Sequence, residues 1–252
     1  MIKNIVLGIK EYAGAFALIS KLKLWKYFVV PILISIVTAV LIGVEAYVLS
    51  DNIGGVISKL WIWEFGKEAF IAISNFVGGL VVVIIGLILY KHIIMALSAP
   101  FMSFVSEKIE AHFYGNVKHL HRKTTNTEQL VRGVRINVRN LSKELLITLP
   151  ILVLKFIPVV NIFSTFLLFM VQSYYAGFGN MDYTLERHLD YKKSVDFVGN
   201  HKGFAIGNGV VFMLCLLIPV IGIIIVLPLS VTAASTKTLA LLHKKQELVY
   251  EK

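Results

Sequence analysis

The chain has 252 residues, 57% of them hydrophobic and only 16% charged, against about 45–50% apolar and about 25% charged in soluble domains. A mean hydropathy of +0.77 excludes an ordinary soluble domain, and the length suits one compact membrane domain. The formal charge of +10 comes from cations flanking apolar spans, without the interleaved aromatics of a nucleic-acid platform, so no nucleic-acid partner is expected.

Residues 1–27 place Ile2, Ile5, Val6, Ile9, Phe16 and Ile19 at helical spacing, with Lys3, Lys10 and Glu11 between them. No run of small residues forms a cleavage site. The pattern predicts an amphipathic helix in the interface plane, or one packed on the protein's own cytoplasmic face. The first apolar span, 28–49, is long enough for the hydrocarbon core. Pro31 stands near its start, where a missing donor costs least, and Glu45 near its far end. A loop at 50–67 carries Trp61, Trp63 and Phe65, residues of an interfacial belt. The second span, 69–97, exceeds the required length and must tilt or project.

The section 98–143 is basic, with Lys108, Lys118, Arg122, Lys123, Arg132, Arg135, Arg139 and Lys143 against Glu107, Glu110 and Glu128. The loop at 50–67 has only Lys59 and Lys67. That asymmetry puts the amino terminus and 98–143 in the cytoplasm. Thr125 and Glu128 have the spacing of a capping box. The helix they open sets Arg132, Arg135, Arg139 and Lys143 along one face. Such a stripe either steers anions or contacts acidic lipid headgroups. His119 and His121 have no acid or thiol at metal-like spacing, so no metal is expected.

Two further apolar stretches, 145–177 and 204–242, share a phrase. Phe156-Ile157-Pro158-Val159-Val160-Asn161 recurs as Leu217-Ile218-Pro219-Val220-Ile221-Gly222. Proline removes a backbone donor and breaks an apolar helix, so Pro158 and Pro219 mark paired breaks. The first halves, 145–157 and 204–218, are too short to cross a bilayer. Each stretch is therefore expected to be a re-entrant hairpin, with two ordinary kinked spans as the alternative. Turns at membrane depth need protein around them, which implies a homo-oligomer. The connector 178–203 carries Arg187, Lys192, Lys193 and Lys202 and reads as cytoplasmic. It should open with a short helix capped by Asn180, with Asp182, Glu186, Arg187 and Asp190 in local ion pairs. The single Cys215 cannot form an intrachain disulfide. The fold class is thus an all-α integral membrane protein, with two long transmembrane helices, two Pro-broken re-entrant hairpins and a basic cytoplasmic helical section. No glycine-rich phosphate loop and no nucleophile with a persuasive base stand out, so neither an enzyme nor a cofactor is expected.

Ser98-Ala99-Pro100-Phe101 at the end of the second span, followed by Glu107 and Glu110, resembles the CysZ family of bacterial sulfate permeases. The order of features fits across nearly the whole chain, and the wider superfamily includes the eukaryotic etoposide-induced endoplasmic-reticulum protein. The resemblance implies an oligomeric protein of the bacterial inner membrane that passes sulfate inward for cysteine synthesis. Its anion signature, a glycine, an aliphatic residue and two arginines, falls here on Lys23, Leu24, Trp25 and Lys26. Only the second cation survives, as lysine, with Lys23 as a second charge, so Lys23 and Lys26 are the candidate anion ligands. A lysine is a point charge where arginine is a planar fork. The competing readings are a non-transporting scaffold or lipid-interacting protein of the same fold, and a permease for a different anion.

Overall fold

Thr125 shows how directly the sequence sets a helix boundary. Its hydroxyl accepts from the Glu128 amide at 3.2 Å, and the Glu128 carboxylate accepts from the Thr125 amide at 2.8 Å. The capping box is therefore complete, and it starts a helix that runs from Asn126 to Leu154. The basic stripe and the first apolar half of 145–177 thus lie on one continuous helix.

The structure is a computed structural model that describes residues 1–115, 122, 124–155, 157, 160–218 and 221–250. Pro158 and Pro219, with Lys118, His119, His121 and Lys123, lie outside the described residues. Among the described residues the elements are all helical: α1 (Ile2–Lys10), α2 (Tyr12–Lys21), α3 (Trp25–Ser58), α4 (Lys67–Tyr114), α5 (Asn126–Leu154), α6 (Val160–His188), α7 (Tyr191–Asn200), α8 (Lys202–Leu216) and α9 (Ile221–Tyr250). Four stretches are long and apolar enough to cross a membrane: Trp25–Ser58, Lys67–Tyr114, Val160–His188 and Ile224–Lys244. The chain is an all-α integral membrane protein.

Two units make it up, one of residues 33–94 and one of 1–32 with 95–252. The smaller unit holds residues 33–58 of α3 and 67–94 of α4, joined by the Trp loop. They run antiparallel, with Gly54 against Asn75, Gly78 against the Ser50 carbonyl and Gly86 against Ile42. Asn75 donates to Asp51 at 2.8 Å near the loop end. The apolar windows of α3 and α4 are only 22% and 11% buried. Helices apolar all round and left uncovered are suited to lipid. In the loop, Trp61 stacks on Phe70 at 4.8 Å, while Trp63 and Phe65 stay exposed.

The larger unit is built round α6. Helices α5 and α6 run antiparallel from their break, pairing Arg132 with Asp182 near one end and Asn137 with Gly179 further in. Helices α8 and α9 do the same, with Asn208 on Ser230 and Cys215 beside Gly222. Each proline-bearing stretch is therefore a helical hairpin. Two seams of small residues hold α6 to α8. A Cβ on Gly177 would collide with the Ala205 carbonyl, and one on Gly209 with the Ser173 carbonyl. Phe178, Met181 and Leu185 of α6 then meet Ile136, Phe197, Val198, Ala205, Ala234 and Leu242 in the buried core.

The start of the connector differs from expectation. Helix α6 passes without interruption through Gly177-Phe178-Gly179-Asn180 to His188. Asn180 caps nothing: its amide donates to Asn208 Oδ1 at 2.8 Å, and the glycines serve close packing instead of a turn. The amino-terminal helix is also two helices, joined at Glu11. Tyr12 donates to the Asn208 carbonyl at 2.7 Å and Lys237 pairs with Glu11 at 3.2 Å, so this segment packs on α8 and α9. Ile2, Val6 and Phe16 remain exposed on its other side.

The α6–α8 seam gives a direct test. Gly209→Val should force the two helices apart and cost about 1–3 kcal/mol or more as an overpacked contact. Gly199, whose absent Cβ has nothing within 4 Å, should accept alanine with stability unchanged or slightly raised. Thermal unfolding of the two purified variants in detergent separates them.

Candidate functional site

The corner between α2 and α3 is set by one backbone conformation. Leu24 donates its amide back to the Ile19 carbonyl at 2.9 Å, and Lys23 to the Ser20 carbonyl at 3.2 Å. That pair of bonds is a Schellman motif, whose last but one residue must be left-handed. The residue there is Lys23, at φ +52°, the one non-glycine with positive φ among the described residues. Glycine is the usual occupant because a Cβ in this conformation costs about 1–2 kcal/mol. The apolar contact that goes with the motif is also present: Ile19 and Leu24 are both fully buried. The turn thus holds Lys23 outward at the amino end of α3, with Lys26 on the first helical turn. Both lysines are exposed. An exposed cation pair at a helix amino end suits an oxyanion, although the Tyr27 amide of the first turn is already bonded to the Leu24 carbonyl.

Trp25, between them, is committed to packing. Its ring meets Phe16 at 5.9 Å and Phe28 at 6.4 Å, both edge to face. Lys26 Nζ lies 5.1 Å from the centre of the Tyr27 ring, a distance at which the ring's electrons attract it.

The Ala99–Glu110 segment on α4 docks this helix on its neighbours. Pro100 has no amide for the Ala96 carbonyl, and Gly133 of α5 lies against that carbonyl. A Cβ on Gly133 would fall 2.9 Å from the Ala96 oxygen and 2.6 Å from Ala99 Cβ. Phe101 is half-buried beside them, as is Glu107 two turns on. Glu110 is fully buried and gathers the Arg187 guanidinium at 3.0 Å and the imidazoles of His188 at 3.1 Å and His243 at 3.7 Å. Arg187 also donates to Ser106 at 2.8 Å, and Tyr114 stacks on His243 at 3.7 Å. Sequence spacing alone did not join these residues, since Glu110 and His188 are 78 positions apart.

The basic stripe on α5 divides in the same way. Arg132 grips Asp182 with both edges, Nε to Oδ2 at 3.2 Å and Nη2 to Oδ1 at 2.9 Å. It also donates to the Leu189 carbonyl at 2.8 Å and to Ser194 Oγ at 2.7 Å. Burial alone would lower its pKa, but Asp182, with Glu186 and Asp190 behind it, outweighs that and holds the guanidinium above its ordinary value. Arg135 lies over the Tyr191 ring at 4.1 Å, Arg139 over Phe178 at 5.1 Å, and Lys143 is exposed. Of the residues expected to pair within the connector, Asp182 faces Arg132 and Arg187 faces Glu110 on other helices. Asp190 keeps a local pair, with Lys193 Nζ at 3.4 Å, and caps α7 by accepting from the Lys193 amide at 2.9 Å.

Residues 12–226 match the family model described as sulfate transporter CysZ/etoposide-induced protein 2.4. The match spans most of the chain, and the chain belongs to that family. No curated protein matches it significantly.

Two predictions follow from the ion pairs and the cap. Arg132→Ala leaves Asp182 buried without its partner and should cost about 3–5 kcal/mol, read as a fall in thermal midpoint, whereas Lys143→Ala should change little. The Lys193 amide, ahead of every other contribution, holds the Asp190 carboxyl below its usual range. Its cap is then fully present above the unfolded value of about 3.9 and is lost as pH falls through the lower folded value. Asp190→Asn should remove that part of the acid sensitivity in a pH series of melts.

Proposed function

We propose that this member of the CysZ/etoposide-induced family is a multi-pass permease of the bacterial inner membrane that takes up sulfate, or a related oxyanion, for cysteine synthesis. Passage needs no covalent chemistry, cofactor or nucleotide motor. The amino terminus is cytoplasmic, the two proline-broken hairpins dip into the bilayer and return, and protomers assemble to shield their tips. Lys23 and Lys26 supply the charge that meets the anion, and the amides of the first α3 turn add to it. The α5 stripe steers anions toward the membrane.

One observation carries this reading. Lys23 occupies a left-handed position where glycine would be easier, and strain kept at one residue points to a role for its side chain. The family signature, as resemblance aligns it, has glycine at that position and its charge on the next residues but one. In this chain the nearer of those residues is Trp25, and the charge sits on Lys23 instead. The packing of Trp25 against Phe16 and Phe28 favours the second reading, a scaffold of the same fold in which the anion site has been lost.

Radiolabelled sulfate uptake into proteoliposomes, compared with empty liposomes, decides between them. Saturable uptake is expected, and it should be abolished in the Lys23→Ala/Lys26→Ala double variant. Lys23→Gly is the sharper probe. It should raise stability by about 1 kcal/mol by relieving the left-handed side chain yet weaken anion binding about tenfold or more, the worth of a charge-assisted hydrogen bond. Uptake unchanged in that variant removes Lys23 from the site. No uptake from folded, oligomeric protein leaves the scaffold reading, and saturation by another anion in preference to sulfate reassigns the substrate.

A further inference from the structure

A cavity of about 380 Å³ opens at the amino end of α5, lined by Arg122, Arg132 and Arg135, by Thr124 and Thr127, and by the Tyr191 ring. Its cationic wall is assembled from two directions. Arg122 donates to the Leu189 carbonyl at 3.0 Å and Arg132 donates to the same oxygen at 2.8 Å. One acceptor thus draws two guanidiniums together, an arrangement that repulsion opposes unless negative charge lies nearby. Asp182 answers Arg132. Glu128 also lines the cavity and keeps its charge while its Oε2 accepts from the Thr125 amide. Against it stand Arg122, Arg132 and Arg135, so the lining keeps a net positive charge, with Asp190 acting on Arg122 from outside the lining. Arg135 is held in place over Tyr191 at 4.1 Å, so its guanidinium is positioned before any ligand arrives. Thr127 completes the lining, while the first-turn amide of Glu128 is already bonded to Thr125 Oγ1.

We propose that this cavity binds a soluble phosphate- or sulfate-ester anion. Size argues for an ester over a bare oxyanion: about 380 Å³ falls within the range of small-molecule pockets, about 300–1,000 Å³. Val131 and Tyr191 provide the apolar wall that the ester's organic group would meet. Position argues for a soluble source. With α5 dipping into the bilayer as proposed above, its apolar part begins at Leu145. Arg132 then lies about 20 Å up the helix axis at ~1.5 Å per residue. The headgroup layer adds only about 5–7 Å on each side of the hydrocarbon core, so a lipid phosphate does not reach the cavity. The site rests on that topological reading for its source, and on the cavity alone for its chemistry.

The test uses the full-length protein in detergent with phenyl phosphate, inorganic phosphate and phenol as probes, and a separate arm with phosphatidic acid vesicles. Calorimetric binding of phenyl phosphate is expected, at least tenfold tighter than inorganic phosphate, with no binding of phenol. Arg135→Ala should weaken it at least tenfold. Arg135 is exposed, and Thr127→Val serves as a second variant if the first misfolds. Phenyl phosphate binding in Lys23→Gly should equal that of the parent, which separates this cavity from the uptake site. The proposal is overturned if phenyl phosphate binds no better than phenol, if a folded Arg135→Ala binds as tightly as the parent, or if only the vesicles bind. The last result assigns the cavity to a lipid headgroup and also contradicts the depth given to α5. Sulfate uptake is measured on the same purified protein reconstituted into proteoliposomes, so loss of ester binding with uptake intact removes only this site.

Discussion

Beyond the burial of apolar side chains, helices hold to one another by close contact between backbones and by hydrogen bonds between helices. The α6–α8 seam is made of both. Gly177 and Gly209 let the two backbones approach until any Cβ would strike a carbonyl. Asn180 then donates to Asn208 across that seam at 2.8 Å, and Asn208 donates onward to the Ser230 carbonyl at 3.0 Å. Helix α9 is tied in by this second bond, and the amino-terminal segment by Tyr12 on the Asn208 carbonyl. One asparagine thus joins three elements to α8. Replacing a small residue at the seam would disturb all of them, whereas a glycine with open space around its absent Cβ, such as Gly199, carries no such burden.

Charge plays a different part from packing. Buried ion pairs contribute little net stability, since desolvation offsets most of the attraction, but breaking one is expensive. Arg132–Asp182 and Glu110–Arg187 therefore act as registers that allow a single alignment of α5 and α4 on α6. Both are buried, so desolvation acts strongly on each arginine. The same geometry explains why the α5 stripe is not one functional surface. Its first arginine is consumed by structure, its second and third are steadied on aromatic rings, and its last is exposed. Anion chemistry can draw on Arg135 and Lys143 without loosening the fold, and cannot draw on Arg132 without doing so.

Local chemistry was legible in the sequence and distant pairing was not. Thr125 and Glu128 are three residues apart, and their reciprocal bonds form as their spacing predicts. The apolar stretches either side of the two repeated phrases are antiparallel helix pairs, while Pro158 and Pro219 themselves lie outside the described residues. Asn180 looked like a helix cap because asparagine favours caps, yet its partner Asn208 lies 28 positions away, and tertiary contact overrode the local preference. Asp182 sits 50 positions from Arg132, and its helical spacing to Glu186 and Arg187 suggested nearer partners. His188 and His243 converge on Glu110 only because α4, α6 and α9 meet there. In the candidate site the two lysines were visible as charges, but the turn that presents Lys23 was not. Nothing in a run of Lys-Leu-Lys-Leu marks a left-handed residue.

That turn constrains how a lysine-based anion site could arise. Glycine satisfies the Schellman position without strain but carries no side chain, so a glycine there must leave the charge to residues further along. Once an aromatic residue occupies one of those places and locks into packing, as Trp25 does with Phe16 and Phe28, the charge has to come from elsewhere on the same corner. The Schellman position leaves Lys23 exposed beside the start of α3. The conformational cost of Lys23 is about 1–2 kcal/mol, comparable to the worth of one charge-assisted hydrogen bond.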